Sequence, residues 1–263
     1  MSILKPAGER TAGQELGQAA RRAVPAFLAI GVVVVLLGLL ITKALETTGF
    51  ADGDAGVDRW FAKHRGSTLN TLTHIGTLFG ETITIVALTA ITFVVFRAVF
   101  HRWRESVILL ICVVGQSLIF LVTTILIDRD RPPVPHLDDS PPTSSFPSGH
   151  TAASTAYWAG TALIVAWHTR ERWLRTLITV VGLLIPIMVA TCRMYRGMHY
   201  PTDTTTSYLF SLALLAVAFR ALPRARAPGT GRPTGGAPRP FAPAEPRAIT
   251  IGPWRLGFAT RSS

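Results

Sequence analysis

Charged residues are scarce in this sequence of 263 residues: they make up 16%, whereas 49% are hydrophobic. Soluble domains usually contain about 25% charged residues. The shortage indicates that much of the folded surface faces lipid, and it argues against a soluble protein. Cysteine is nearly absent, with only Cys112 and Cys192, so a disulfide framework is not predicted. No Asp-rich or His-rich metal-binding pattern occurs, so neither a metal nor another cofactor is expected.

Long apolar stretches are the main feature that the sequence does have. A helix needs about 20 mostly apolar residues to cross the hydrocarbon core of a bilayer. Six stretches reach or approach this length, and they comprise residues 23–42, 75–96, 106–127, 151–167, 176–191 and 204–219. The pattern therefore predicts an all-α, polytopic membrane protein, with a bundle of six transmembrane helices within residues 23–222.

The net charge of +11 is distributed unevenly between the segments that flank these stretches. Successive spans alternate in direction, and most lysines and arginines then fall on one side of the membrane. Cytoplasmic segments are enriched in Lys and Arg, so both termini are predicted to be cytoplasmic and no nucleic acid partner is needed. The ends are a basic lead, residues 1–22, and a tail rich in Pro and Arg, residues 223–263. The tail is predicted to be disordered, with membrane lipids as its partners.

Three polar clusters lie at the ends of the predicted spans, in residues 128–133, 146–151 and 193–203. All three fall on the predicted outer side. Charge near a bilayer is costly and normally marks a functional site. Scattered charges would be expected on both sides, so this convergence predicts one site at the outer ends of the helices.

The residue types in these clusters suit the transfer of a phosphoryl group. Arg131 and Arg193 can bind phosphate oxygens through their planar guanidinium groups. Ser148 and the backbone amides of Gly149 and His150 stand at a predicted helix start, where N–H groups and the helix dipole favour an anion. The side chains would offset the negative charge of the transition state without a metal ion.

Two histidines and one aspartate provide candidate catalytic groups. His199 and His150 offer a nucleophile and a proton donor near neutral pH. Asp203 follows His199 by four residues and could hold one imidazole nitrogen, which would leave the other nitrogen to attack. The expected substrate is a phosphate ester at the membrane surface.

These clusters resemble the three-part signature of the type 2 phosphatidic acid phosphatase family, which includes the vanadium haloperoxidases. The family pattern is Lys-x6-Arg-Pro, then Pro-Ser-Gly-His, then Ser-Arg-x5-His-x3-Asp. Residues 131–132 match the end of the first part, residues 147–150 match all of the second, and the third matches at three positions. The resemblance covers roughly residues 24–220. It implies that His199 is the nucleophile, Asp203 its partner and His150 the general acid, with phosphate bound by Arg131, Ser148, Gly149 and Arg193.

The sequence departs from this pattern at two positions. Thr124 stands where the family has its lysine, and Cys192 replaces the serine of the third part. Helical spacing would place residues 124, 128 and 131 on one face, with Thr124 roughly 10 Å below Arg131, so that threonine could neither reach the phosphate nor carry charge. Because Arg129 leaves the helix near the same place as Arg131, we hypothesise that it supplies the missing positive charge to the phosphate. Glu81, inside the second predicted span, is a further candidate because acids within a membrane are often functional; it could equally pair with a neighbouring helix.

The sequence thus predicts a membrane-bound phosphatase that hydrolyses a lipid phosphate or diphosphate, of the polyprenyl diphosphate or phosphatidic acid type. The reaction would occur at the outer face through a phosphohistidine, without a metal. The same residues would serve a phosphotransferase in which a hydroxyl group replaces water. A catalytically weakened transporter or scaffold is the third hypothesis, supported by the missing lysine and opposed by the presence of both histidines.

Overall fold

A computed structural model describes residues 12–45, 48–139 and 142–221 of the chain. Every regular element in these ranges is helical, which confirms the all-α class for this part of the chain. The helices are α1 (Ala12–Leu39, continued by a π-helical segment Leu40–Ala44), α2 (Gly49–Lys63), α3 (Ser67–Leu78), α4 (Thr82–Phe100), α5 (Arg104–Leu126), α6 (Gly149–Ser154, continued by a π-helical segment Thr155–Ala159), α7 (Gly160–His168), α8 (Arg172–Tyr195) and α9 (Pro201–Ala221).

Within the described ranges, five helical stretches are long and apolar enough to cross a membrane. They are Arg21–Ala44, Thr82–Phe100, Arg104–Leu126, Arg172–Tyr195 and Pro201–Ala221. Large apolar side chains on these stretches, such as Val32, Ile83 and Ile125, are more than half exposed. A contiguous apolar surface of this kind is unfavourable in water and favourable against lipid. The chain is therefore a multi-pass membrane protein.

The fourth predicted span, residues 151–167, is divided among three short helical segments. These segments, α6, the π-helical segment Thr155–Ala159 and α7, follow one another without a break from Gly149 to His168. None of the three is long enough by itself to cross a bilayer. The total of six spans and the cytoplasmic position of both termini stay predictions.

The second predicted span, residues 75–96, is wrong in its position. The chain leaves the helix between α3 and α4, where Gly80 is followed by Glu81, the N-terminal cap of α4. The missing side chain of Gly80 permits a close contact, since a Cβ atom added there would lie 2.7 Å from the carbonyl oxygen of His150. Hydropathy did not reveal this break because the residues on both sides are apolar. Glu81 therefore lies at the start of a span rather than inside it.

The segment between α1 and α4 contains two helices, α2 and α3. Helix α2 packs against α8 and α9, and α3 packs against α8. Asp54 and Asp58 on α2 are buried. Helix α2 is therefore part of the folded structure around the third polar cluster.

Helix α5 occupies the centre of the packing and contacts α1, α4, α6, α7 and α9. Its residues Ile108, Leu109 and Cys112 are completely buried. Gly115 lets α1 approach closely, because a Cβ atom at this position would lie 2.3 Å from the ring of Phe27. The C-terminal ends of α5 and α8 and the N-terminal ends of α6 and α9 are thereby brought together, and these ends carry the three polar clusters.

The two predicted terminal segments are only partly covered by the structure. The basic lead, residues 1–22, is described from residue 12 onward, and the tail, residues 223–263, lies outside the described residues. The structure describes the predicted membrane domain, residues 23–222, except at residues 46–47, 140–141 and 222.

Candidate active site

A cavity of about 680 Å³ opens where the three polar clusters meet. The structure brings several predicted site residues together in its wall, namely Glu81, Arg131, Gly149, His150, Arg193 and His199. Asp203 and Ser148 are completely buried and do not line this cavity. Arg129 and Thr124 are also absent from its wall.

His199 follows the turn between α8 and α9. Gly197 in this turn has a φ of +75°, a conformation that favours glycine because it lacks a Cβ atom. The Nδ1 atom of His199 lies 2.7 Å from the carbonyl oxygen of Ser145. A carbonyl oxygen can only accept, so Nδ1–H is the donor and Nε2 keeps the lone pair. This is the tautomer that a nucleophilic imidazole requires.

The sequence predicted that Asp203 orients this imidazole. In the structure the Ser145 carbonyl makes the direct hydrogen bond, and Asp203 lies next to it. The Oδ2 atom of Asp203 lies 3.7 Å from Nδ1, which is longer than a hydrogen bond, whereas the Ser145 carbonyl is in direct contact. Sequence reasoning missed Ser145 because a backbone acceptor has no residue-type signature. Burial lowers the pKa of His199 below its usual value, and Arg193 lowers it further, whereas Asp203 opposes the shift. The imidazole is therefore neutral at pH 7.

Asp203 is held by a network that extends to helix α2. Its Oδ1 atom accepts from Nη1 of Arg129, and its Oδ2 atom accepts from the backbone N–H of Tyr200 at 3.0 Å. The other end of the Arg129 guanidinium donates to Oδ2 of Asp54 at 2.8 Å. Nη1 also donates to Thr202. Arg129 thus bridges two buried carboxylates, one of which adjoins the candidate nucleophile.

This arrangement does not support the hypothesis that Arg129 binds phosphate. Its guanidinium is occupied by Asp54 and Asp203, stacks over the ring of Tyr200 at 4.1 Å, and lies away from the cavity wall. The closeness of Arg129 to Arg131 in the sequence suggested that both side chains face the phosphate. They do not, because residues 127–131 are not helical and their side chains do not follow helical spacing.

Thr124 is likewise not placed as the sequence suggested. Helix α5 ends at Leu126, and Ile127 is already extended, so residues 124, 128 and 131 do not share a helical face. The hydroxyl of Thr124 is buried and has no hydrogen-bond partner among the described residues. Thr124 therefore does not contact the cavity, where a phosphate-binding lysine would be needed.

Arg131 and Arg193 are the cationic side chains of the first and third clusters that line the cavity. Nη1 of Arg131 donates to the carbonyl oxygen of Met198 at 2.8 Å, and Nη1 of Arg193 donates to Asp138 and Thr77. In both arginines, Nε is buried without a hydrogen-bond partner among the described residues. Buried donors normally have acceptors, so both guanidinium groups retain capacity for an anion.

Gly149 and Ser148 take different parts in the start of α6. Gly149 lines the cavity beside Phe120, and a Cβ atom at this position would lie 3.0 Å from the Phe120 ring. Ser148 instead caps the helix: its Oγ atom lies 3.0 Å from Oγ1 of Thr151 and accepts from the Thr151 backbone N–H. The Ser148 hydroxyl therefore caps α6 through Thr151 here, instead of making the predicted contact with phosphate.

Asp138, which the sequence analysis did not single out, binds the arginines of the third cluster. Its Oδ2 atom accepts from Arg193 at 2.7 Å, and Arg196 donates to it through Nε at 2.8 Å. Burial alone would raise the pKa of Asp138, but Arg196 and Arg193 lower it below its ordinary value. Asp138 thereby fixes the segment between α5 and α6 over the cavity and keeps Arg193 in place.

Asp58 on α2 lies close to the Arg129 network without joining it. The residue is 0% exposed, and neither carboxyl oxygen has a hydrogen-bond partner among the described residues. Burial and the negative charges of Asp54 and Asp203 raise the pKa of Asp58 from 3.8 to about 8, against the opposing charges of Arg129 and Arg65. The carboxyl group is therefore protonated at neutral pH.

We expect Asp58→Asn to stabilise the folded protein. Between pH 3.8 and about 8, the unfolded chain ionises this carboxyl whereas the folded chain keeps the proton, so the wild-type protein loses stability as the pH rises. Above about pH 8 both states are ionised and the loss ends. A tenfold difference in acidity corresponds to ~1.4 kcal/mol, so we expect a gain of about 2 kcal/mol or more at pH 8.

Thermal unfolding in detergent from pH 5 to 9 measures this gain. Asp52→Asn, which is exposed in the first turn of the same helix, is the matched control and should bring no comparable gain. An Asp58→Asn protein whose advantage over the wild type does not grow with pH would contradict the prediction.

Residues 105–227 match the family model described as the PAP2 superfamily. Phosphatidylglycerophosphatase B from Escherichia coli K12 is 40% identical over 74 residues, and so is the protein of the same name from Shigella flexneri. The match covers 28% of this chain and only 27% of the length of these relatives.

Solved structures share the fold over a longer part of the chain. One is the transmembrane PAP2-type phosphatidylglycerolphosphate phosphatase from Bacillus subtilis, with a TM-score of 0.62 and 23% identity, covering 73% of this chain and 93% of that one. Another is Aquifex aeolicus LpxE, with a TM-score of 0.54 and 18% identity, covering 67% of this chain and 98% of that one. Residues 105–227 are thus similar to the PAP2 superfamily, in agreement with the resemblance to type 2 phosphatidic acid phosphatases.

Proposed function

We propose that this protein is a membrane-bound phosphatase that hydrolyses a lipid phosphate or diphosphate through a phosphohistidine on His199. The observation that carries the proposal is the state of His199. Its Nδ1–H is bound to a backbone carbonyl, which leaves Nε2 as the nucleophilic nitrogen. His150 and two arginines with unused Nε–H donors line the same cavity.

The reaction would proceed in two displacements at phosphorus. In the first, the Nε2 lone pair of His199 forms a bond to phosphorus, the bond from phosphorus to the lipid oxygen breaks, and His150 donates a proton to that oxygen. In the second, His150 removes a proton from water, the water oxygen attacks phosphorus, and the phosphorus–nitrogen bond breaks to release inorganic phosphate. Arg131 and Arg193 would offset the charge on the phosphoryl oxygens in both steps.

The rest of the cavity supports a substrate with an apolar chain. Below the histidines the wall is formed by α4 and α5, and it includes Ile85, Val86, Val113 and Leu121. Val86 and Leu121 are more than half exposed, so the wall is continuous with the apolar outer surface of the helices. The similar proteins from Escherichia coli, Shigella flexneri and Bacillus subtilis carry the names of phosphatases that act on phosphatidylglycerophosphate, which favours a lipid phosphate for this chain as well.

Release of inorganic phosphate from lipid phosphates by the purified protein in detergent tests this function. We expect turnover of phosphatidic acid, phosphatidylglycerophosphate or polyprenyl diphosphate to continue in the presence of a chelator, because arginines would replace a metal ion. Orthovanadate should inhibit, since its trigonal-bipyramidal adduct on His199 imitates the transition state. Activity that disappears with chelator and returns with magnesium would refute this mechanism.

We infer further that the active site faces the outside of the cell, and that the unbroken helical stretch from Gly149 to His168 is the sixth span. The support is the distribution of Lys and Arg over the short loops. Six spans place the segment between α5 and α6 outside and the segment between α7 and α8 inside.

Cysteine labelling on intact cells checks this topology. His136→Cys, in the exposed segment between α5 and α6, should react with a membrane-impermeant maleimide, whereas the exposed Arg170→Cys between α7 and α8 should react only after permeabilisation. Background labelling should be low because Cys112 and Cys192 are both buried. The opposite labelling pattern would move the active site to the cytoplasm.

A further inference from the structure

The apolar part of the active-site cavity contains one polar side chain whose hydrogen-bonding capacity is incompletely used. Gln116 on α5 lines the cavity and is only 3% exposed. Its Oε1 atom has no hydrogen-bond partner among the described residues. A buried amide oxygen without a donor is unfavourable by itself, so this atom is a candidate ligand for a donor group on the substrate.

The orientation of the amide follows from its neighbour Ser117. The Ser117 hydroxyl donates its hydrogen to the carbonyl oxygen of Val113 at 2.8 Å. It can therefore only accept from Gln116, and Nε2 of Gln116 donates to it at 2.8 Å. Because Nε2 is fixed on the side of Ser117, Oε1 is the end of the amide that has no partner in the described part of the chain.

Gln116 lies only a short distance deeper in the membrane than the predicted phosphate-binding residues. Gly149 at the start of α6 adjoins the ring of Phe120 on α5. Gln116 lies one helical turn further into the membrane than Phe120, about 6 Å along the axis. A group that meets Gln116 is therefore attached close to the phosphate and not far along an acyl chain.

We propose that Oε1 of Gln116 accepts a hydrogen bond from a hydroxyl group on the lipid backbone next to the phosphate-bearing carbon. This inference rests on the proposed function, and it assigns the site to hydroxyl-bearing lipid phosphates, such as monoacylglycerol phosphates. Polyprenyl phosphates carry no such donor and would leave Oε1 unpaired. Sites that hydrogen-bond a substrate hydroxyl discriminate against analogues that lack it.

A purely structural role is the competing explanation for Gln116. Amide side chains within membranes can hold neighbouring helices together by hydrogen bonds. The hydrogen bond that Gln116 does make goes to Ser117, the next residue of its own helix, and so does not join two helices. Its placement in the cavity wall therefore favours contact with a ligand.

The test compares 1-acylglycerol 3-phosphate with its 2-deoxy analogue, which lacks only the hydroxyl group. Phosphate release is measured in mixed micelles at equal mole fraction for the wild type and for Gln116→Leu. We expect the wild type to prefer the hydroxyl-bearing lipid about tenfold in kcat/KM, as one neutral hydrogen bond provides. Gln116→Leu should lose this preference and retain its activity on the deoxy analogue, which shows that the variant is folded.

Thr89→Val is the matched control. Thr89 is a buried residue of α4 whose hydroxyl has no hydrogen-bond partner among the described residues, and it does not line the cavity. This variant should keep the wild-type preference. A preference that persists in Gln116→Leu, or an equal loss of activity on both lipids, would overturn the inference.

The wild-type result separates this inference from the proposed function. A wild type that hydrolyses lipid phosphates but does not favour the hydroxyl-bearing one would overturn the role of Gln116 and leave the phosphatase proposal intact. A wild type that releases phosphate from no lipid phosphate would overturn both.

Discussion

Replacing His199 with alanine is expected to lower kcat/KM by at least about a thousandfold and to abolish the trapped phosphoenzyme. Removal of a nucleophile in a cooperative catalytic group typically has an effect of this size or larger. In the proposed mechanism, Nε2 of His199 forms the covalent bond, and the Ser145 carbonyl already selects the tautomer that leaves Nε2 free. Phosphate release and rapid acid quenching with a labelled substrate measure the two effects.

His150→Ala should behave differently from His199→Ala. A general acid matters less when the leaving group is acidic, because such a group needs less protonation as it departs. His150→Ala should therefore retain phosphoenzyme formation with an aryl phosphate and lose most turnover with an alkyl phosphate. Equal losses with both leaving groups would contradict the assignment of His150 as the acid.

His64→Ala provides the control for both histidine variants. His64 is exposed at the end of α2, and its ring bonds the carbonyl oxygen of Trp60. We expect its activity to remain within about twofold of the wild type, as is usual for surface changes away from a site. Residual activity of His199→Ala near that of His64→Ala would exclude the phosphohistidine mechanism.

Replacing Arg129 with alanine is expected to reduce kcat about a hundredfold while KM and the inhibition constant for inorganic phosphate change little. The buried carboxylates of Asp54 and Asp203 would lose their shared cation, and Asp203 would no longer be held beside His199. Breaking a buried ion pair on one side typically costs about 3–5 kcal/mol, so the variant should also unfold at lower temperature. Steady-state kinetics and thermal unfolding in detergent measure these effects.

The double variant Arg129→Ala with Thr124→Lys distinguishes positioning from phosphate binding. A lysine at residue 124 would add a positive charge near the C-terminal end of α5 but would not bridge Asp54 and Asp203, so we expect no recovery of kcat. Recovery, or an Arg129→Ala defect confined to phosphate affinity, would instead support the phosphate contact that the sequence suggested. Arg59→Ala, an exposed arginine of α2 that bonds only the carbonyl of Asp52 among the described contacts, is the matched control.

The comparison of Arg129 with Arg131 shows where reasoning from the sequence was limited. Both arginines stand in one short motif, and the sequence offered the same role for both. Their side chains diverge because α5 ends at Leu126 and the following residues are not helical. A local rule of helical spacing cannot foresee the residue at which a helix ends when no proline or glycine marks it.

The sequence by itself determined that the protein lies in a membrane and that its fold is helical. It also determined which residue types are available for the proposed chemistry. Apolar length, scarcity of charge and the spacing of Arg193, His199 and Asp203 are local properties that survive folding unchanged. They predicted a set of membrane-spanning helices, although with the wrong position for the second, and they singled out Arg131, Gly149, His150, Arg193 and His199, which the fold brings into one cavity. Glu81 was proposed because it was predicted to lie inside a span. It does line this cavity, but as the N-terminal cap of α4.

Only the tertiary structure decided which atoms meet. The hydrogen bond from His199 to the Ser145 carbonyl joins residues 54 positions apart, and Arg129 reaches Asp203 and Asp54 across more than 70 positions. Such contacts depend on how helices pack and where the segments between them turn, and neither is recorded in residue type. The same holds for Asp138, Asp58 and Gln116, whose roles follow from burial and from the presence or absence of a partner in the folded chain.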